Sequence, residues 1–176
     1  MDTKLIGDLK GAIREIPDWP KEGILFYDVT TLLKQGRYFQ QTIDALTEPY
    51  RESGIELVLG IEARGFIFAP TVAYALKAGF IPVRKPGKLP ADTFDESYEL
   101  EYGTDKLEIH QDAILSGQRV LIVDDLIATG GTARATAALA EKMGAEVVGL
   151  SFAVELTALK GRAKLEKYNV HSVLKY

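Results

Sequence analysis

Cysteine is absent from this 176-residue chain, which excludes a disulfide framework, cysteine metal sites and a thiol nucleophile. Histidine is nearly as scarce: His110 and His171 are the only two. They lie too far apart in sequence to form a metal motif and read as bystanders. There is no excess of basic charge either. The 21 Lys and Arg against 25 Asp and Glu leave a formal −4, so nothing in the overall balance invites nucleic acid or an anionic membrane. Any polyanion must be held by a local cluster of cations. No apolar run approaches the ~20 residues of a membrane helix. The opening "MDTKLIGDLKGAIREI" scatters acids and bases among its apolar residues and does not read as a signal peptide. A cytoplasmic location is the expectation.

What is plentiful is apolar surface. Hydrophobic residues make up 47% of the chain, enough for a single core at this length. No repeat, low-complexity tract or linker-like shift interrupts it, so residues 1–176 are expected to form one domain. Leu5, Ile6, Leu9, Ile13 and Ile16 recur at helical spacing until "IPDWP". Phe39, Ile43 and Leu46 predict a second helix from about Arg37, ended or kinked by Pro49. Then strands and helices alternate: "ELVLGI", "FIFAPTVAYALKAG", "FIPVRK", "RVLIVDD", "TARATAALAEKMG" and "AEVVGLSFAVE". That order indicates an α/β fold, a central and mostly parallel sheet flanked by helices.

Residues 86–110 break the alternation. They are polar, rich in turn residues, and then alternate apolar with charged side chains. The pattern predicts a β-hairpin with a mobile tip, and loops of this length are commonly lids or binding loops.

The most informative stretch is "VLIVDDLIATGGT", residues 120–132. In an open parallel sheet, ligands bind at the carboxyl ends of strands. Asp124 and Asp125 are adjacent, and side chains alternate along a strand, so the strand is expected to end at these acids. The turn after them offers the Thr129 and Thr132 hydroxyls. Gly130 and Gly131 permit backbone angles that aim successive N–H groups at one anion. A helix beginning near Thr132 adds its positive end. The lysine of a Walker loop is missing, and the GxGxxG spacing is absent. Two acids beside an anion cradle suit a sugar phosphate, held at its phosphate and along its ring hydroxyls.

These residues resemble the signature of the type I phosphoribosyltransferases, which use phosphoribosyl pyrophosphate as donor. The resemblance implies that Ala128, Thr129, Gly130, Gly131 and Thr132 hold the 5′-phosphate. Asp124 and Asp125 would bind the ribose hydroxyls, directly or through magnesium and water. Within the family, the branch acting on adenine is similar over nearly the whole chain. The matching pieces are "IPDWPKEGILFYDVT", "GIEARGFIFAP", "PVRKPGKLP", "YELEYGTDKLEIH" and the tail "VELTALKGRAKL". That likeness implies transfer of the phosphoribosyl group to adenine, giving AMP and pyrophosphate, with magnesium as cofactor and a homodimer as the assembly. It implies the type I phosphoribosyltransferase fold, with a flexible hairpin lid over residues 86–110 and a base-binding hood over residues 1–35.

The same likeness distributes roles. Arg64, Lys85 and Lys88 would meet pyrophosphate, with Arg84 as a further member, and a cis peptide is expected at Glu62–Ala63. Glu101 and Tyr102 would close over the reacting centre, the glutamate near adenine N7. Leu25, Phe26 and Tyr27 would contact the base, with Phe26 stacking on it and Leu126 covering its other face. Many relatives have arginine where this chain has Tyr27. Two other readings stay open at this point: transfer to guanine, xanthine or orotate, and a donor-sensing regulator without catalysis. The regulator is disfavoured, because one short helix before "PDWP" is too little for a winged helix and there is no basic balance.

Overall fold

The computed structural model describes residues 2–99 and 103–176. The chain groups into two compact units, residues 1–45 and 46–176.

The first unit opens with α1 (Thr3–Ala12), where the Asp2 carboxylate caps the start by accepting the Lys4 N–H at 3.2 Å. The helical pattern stops earlier than Ile16 suggests. Ile16 belongs instead to β1 (Arg14–Pro17), which pairs antiparallel with β2 (Leu25–Asp28) and sets Ile16 opposite Phe26. Its match to the helical period is a coincidence that strand pairing overrides. A short α2 (Thr30–Leu33) follows, unannounced by any periodicity. Asp28 ties these pieces together. It accepts the Thr30 hydroxyl at 2.6 Å and the Thr30 N–H at 2.9 Å, and it pairs with Arg14 Nη2 at 2.5 Å. The bonds from Thr30 and Arg14 hold its pKa down to about 2. Trp19 packs edge-on against Phe26, ring centroids 4.4 Å apart, yet remains half exposed. It braces the β1–β2 hairpin by that contact.

α3 (Gly36–Thr47), followed by a 3-10 turn at Glu48–Tyr50 that contains Pro49, leads into the larger unit. Five strands there form a parallel sheet: β3 (Leu57–Ile61), β4 (Gly79–Val83), β7 (Arg119–Ile127), β8 (Glu146–Glu155) and β9 (Val170–Lys175). Their order is β4-β3-β7-β8-β9. Between β4 and β7 the chain makes a separate antiparallel hairpin, β5 (Thr93–Glu99) with β6 (Thr104–His110). This is the hairpin expected within residues 86–110. α4 (Gly65–Leu76) packs on β3 and β7, and α5 (Gly131–Lys142) packs on β7, β8 and the hairpin.

Val120, Leu121, Ile122 and Val123 are fully buried, as suits a central strand covered on both faces. On β3, a Cβ added to Gly60 would lie 2.6 Å from the Ala69 Cβ and 2.7 Å from the Phe80 ring. The glycine is what lets α4 approach the sheet so closely.

One expectation about β7 is corrected. The strand does not end at the paired acids but continues to Ile127, with Leu126 opposite Val154 and Ile127 opposite Glu155 on β8. What ends is its other neighbour: pairing with β3 stops at Val123, opposite Gly60. Asp124 and Asp125 therefore lie on a strand that has lost one side of its ladder. There an acidic side chain reaches a cleft without the strand breaking.

Candidate active site

The cleft left by the end of β3 is a cavity of about 370 Å³. From β7 and the turn after it, Asp124, Asp125, Leu126, Ala128, Thr129, Gly130 and Thr132 line it. Glu62, Ala63 and Arg64 enter from the loop after β3, Lys85 from the segment after β4, and Tyr98 from β5. Most of the residues singled out in the sequence thus converge on one space. Gly131 does not line it; it is the first residue of α5, with Gly130 before it as the cap at φ +76°. That left-handed angle favours glycine.

The two acids are not equivalent. Asp125 is nearly buried, and Arg64 Nε approaches its Oδ2 to 2.6 Å as an ion pair. The approach is not an aligned hydrogen bond, since Oδ2 has no hydrogen-bond partner among the described residues. The Asp125 N–H donates to Asp124 Oδ1 at 2.9 Å. Burial raises the pKa of Asp124 well above the ordinary carboxylate value, and the neighbouring Asp125 charge adds to it. Burial raises Asp125 as well, with Arg64 opposing. Such a pair holds its charges at a cost, which ligand hydroxyls or a cation would relieve.

Gly65, beside Arg64, makes this geometry possible, because a Cβ there would lie 2.7 Å from Asp124 Oδ1. The peptide between Glu62 and Ala63 is cis, as expected from the resemblance.

The basic segment after β4 is arranged around carboxylates. Glu62 accepts Arg84 Nε at 3.3 Å, Arg84 Nη2 at 3.4 Å and the Lys85 N–H at 3.1 Å, and it also pairs with Lys88 Nζ. Partial burial would push its pKa up, but the bonds from Lys88, the Lys85 N–H and Arg84 outweigh this and bring it to about 2. The Lys85 ammonium turns instead toward the hairpin, bonding the Tyr98 hydroxyl at 3.0 Å and pairing with Asp105. Glu62, Tyr98 and Asp105 all stand inside quoted matches, Glu62 named there only for its peptide bond, and only their distant partners reveal what their side chains do. Of the four cations, Lys85 and Arg64 face the cavity, while Arg84 and Lys88 gather on Glu62.

Leu25, Phe26 and Tyr27 lie on β2 of the first unit. Phe26 and Tyr27 are half-buried there and Leu25 is exposed. Burial raises the Tyr27 phenol's pKa, helped by the Glu15 charge opposite it in the hairpin. Glu101 and Tyr102 lie outside the described residues.

No three acids or histidines converge as a metal-ligand set among the described residues. Asp124 and Asp125 alone supply too few ligands for an all-protein cage. They do fit magnesium that brings the oxygens of a phosphorylated ligand and water with it.

Comparison with known proteins places the chain in a family. The Phosphoribosyl transferase domain family matches residues 28–175. The chain is 61% identical over 169 residues to an adenine phosphoribosyltransferase of Solibacter usitatus, covering 96% of this chain and 98% of that one. It is also similar to the crystal structure of adenine phosphoribosyltransferase from Rhodothermus marinus, with a TM-score of 0.95 and 52% identity over 99% of this chain and 100% of that one. The Saccharomyces cerevisiae enzyme, crystallised with an imino-altritol bisphosphate and adenine, matches at a TM-score of 0.92 and 45% identity, covering 98% of this chain and 100% of that one. The chain belongs to the phosphoribosyltransferase family, among the adenine phosphoribosyltransferases.

Proposed function

We propose that the chain transfers the 5-phosphoribosyl group from phosphoribosyl pyrophosphate to adenine, releasing pyrophosphate and forming AMP in purine salvage. The observation that carries this reading is one cavity in which the Asp124–Asp125 carboxylate pair, Asp125 buried, adjoins a glycine turn at a helix start, with Arg64 and Lys85 facing it.

The chemistry follows from those groups. Adenine N9 forms a bond to the anomeric carbon as the bond to pyrophosphate breaks, positive charge develops on the sugar, and the proton of the base's imidazole ring is released to solvent or to the departing pyrophosphate. The turn at residues 128–132 grips the 5′-phosphate through N–H groups and the Thr129 and Thr132 hydroxyls. Asp124 and Asp125 accept the ribose hydroxyls in charge-assisted bonds, which are roughly twice as strong as neutral ones. Arg64 and Lys85 receive charge on the departing diphosphate, joined by Arg84 and Lys88 when these turn from Glu62. Fixed cations of this kind act most strongly where water is excluded. Magnesium, when bound with the donor, supplies further charge to the leaving group.

Glu101 and Tyr102 are assigned to closure over the reacting carbon on the resemblance alone. Closure would keep water from the activated sugar. Glu101→Gln is expected to lower turnover by roughly 10²-fold while the donor's Kd stays near the wild-type value. Unchanged turnover would remove Glu101 from the mechanism.

Leu25, Phe26, Tyr27 and Leu126 are assigned to the base on the same ground. The deciding assay offers adenine, guanine, hypoxanthine, xanthine and orotate with donor, with and without chelator. Adenine should be used at once, chelation should stop the reaction, and Phe26→Ala should raise the KM for adenine. Preference for a 6-oxopurine or orotate would overturn the adenine reading. The assembly is proposed as a homodimer, so light scattering should give about twice the 19.4 kDa of one chain; a mass of one chain would refute it.

A further inference from the structure

The stretch "VELTALKGRAKL", residues 154–165, has no role in the mechanism above, yet its middle abuts the phosphate turn. A Cβ placed on Gly130 would collide with the Gly161 carbonyl oxygen and lie 3.0 Å from its carbonyl carbon. A Cβ on Gly161 would strike the Ala128 carbonyl oxygen and lie 2.9 Å from the Gly130 nitrogen. The two backbones meet with no side chain between them. Residues 128–130 cannot shift toward Gly161, and any movement of Gly161 is passed to them directly.

Gly161 is itself held in place. It opens a 3-10 helix, Gly161–Leu165, whose far end is pinned by the fully buried Leu165. The next residue, Arg162, donates Nε to Glu155 Oε1 at 3.0 Å and Nη2 to Glu155 Oε2 at 2.6 Å. Its Nη1 donates to the Val170 carbonyl at 2.6 Å, and Nη2 also reaches Ser172 Oγ at 3.3 Å. Glu155 is the buried last residue of β8, while Val170 and Ser172 belong to β9. A planar guanidinium held at this many points has one orientation, unlike a lysine. Gly161 is thus indexed to the same sheet that carries Asp124 and Asp125 on β7.

We propose that Arg162, gripped by Glu155, is a positioning residue for the 5′-phosphate. Acting through Gly161, it sets where the N–H groups of residues 128–132 stand when the anion arrives. The inference rests on the phosphate reading of that turn. It also predicts a selective defect, because Arg64 and Lys85 follow β3 and β4 and owe nothing to Arg162.

The test is calorimetric binding of ribose 5-phosphate, AMP and inorganic pyrophosphate to wild type, Arg162→Ala, Arg162→Lys and Gly161→Ala, with Tm measured on each. Arg162→Ala and Gly161→Ala should weaken ribose 5-phosphate and AMP by roughly tenfold or more, since small displacements of positioning groups have large effects. Pyrophosphate should bind all forms alike. Arg162→Lys, which keeps the charge and loses the fork, should fall between. A lower Tm with wild-type affinity for ribose 5-phosphate would make the role merely structural and overturn the proposal, as would equal weakening of pyrophosphate. If Arg162→Ala does not fold, Arg162→Lys and Gly161→Ala decide in the same way. Wild-type protein that binds neither ribose 5-phosphate nor AMP would refute the phosphate reading itself. Wild-type binding that the variants match would refute only the inference.

Discussion

The double substitution Asp124→Asn, Asp125→Asn is expected to weaken donor binding by roughly 10²–10³-fold or more, because two bonds to ionised acceptors, each about 1.5–3 kcal/mol, are lost together. Titration calorimetry with the donor and magnesium measures it directly. Stability should move the other way. Burial raises the folded pKa of both acids, so the folded protein binds protons more readily than the unfolded chain does. The penalty for ionising them is absent below the unfolded carboxylate pKa and grows as pH rises above it. The amide variant should therefore match or exceed the wild-type Tm at neutral pH, with the difference vanishing in acid. A variant that unfolds at neutral pH, or one that binds donor normally, contradicts the assignment of the pair to the ligand.

Arg64→Ala should lower kcat/KM by roughly 10²–10³-fold, the usual consequence of removing one fixed charge-stabilising group. Two effects combine. The departing diphosphate loses a cation in the cavity, and Asp125 loses the guanidinium 2.6 Å from its buried oxygen. Without Arg64, which opposes the shift now, the Asp125 pKa should rise further. Activity of the variant should therefore recover toward higher pH more than that of the wild type does. Arg64→Lys restores a charge without the planar fork and should recover only part of the rate. Steady-state kinetics across pH, with pyrophosphate inhibition measured alongside, separates the two effects. An alanine variant with wild-type kcat/KM would remove Arg64 from the reaction.

Glu62 qualifies how the other cations are understood. Arg84 and Lys88 are read from the sequence as a basic turn awaiting an anion, but Glu62 already holds both. On the proposed reading, a donor reaching these cations would compete with an internal carboxylate whose pKa is about 2, one that stays ionised throughout the neutral range. Lys85 is likewise engaged, tied to Tyr98 and Asp105 on the hairpin. Cations kept close to the cleft by built-in acids would lose less freedom if, as proposed, diphosphate replaced those acids.

Features that depend on near neighbours could be read along the chain. The apolar run at residues 120–123, the two acids after it and the glycine turn form one contiguous segment. Strand propensity, side-chain alternation and the φ freedom of Gly130 can all be judged within it. The alternation of strands and helices, and the hairpin in residues 86–110, were legible for the same reason. Local evidence misled where a distant partner decided the outcome. Ile16 fits the period of α1 but pairs with Phe26 across a hairpin. Asp124 and Asp125 look like a strand end, yet it is β3 that stops and β7 that continues.

Tertiary structure alone decided the rest. It joined Glu62 to Lys88 and Lys85 to Asp105, and it set Gly161 against Ala128 and Gly130. Each of these contacts spans some 20 to 33 positions of chain. Ion pairing and close backbone packing act over a few ångströms of space, so their strength bears no relation to distance along the sequence. Which carboxylate meets which cation exists as a fact only once the sheet has brought them together.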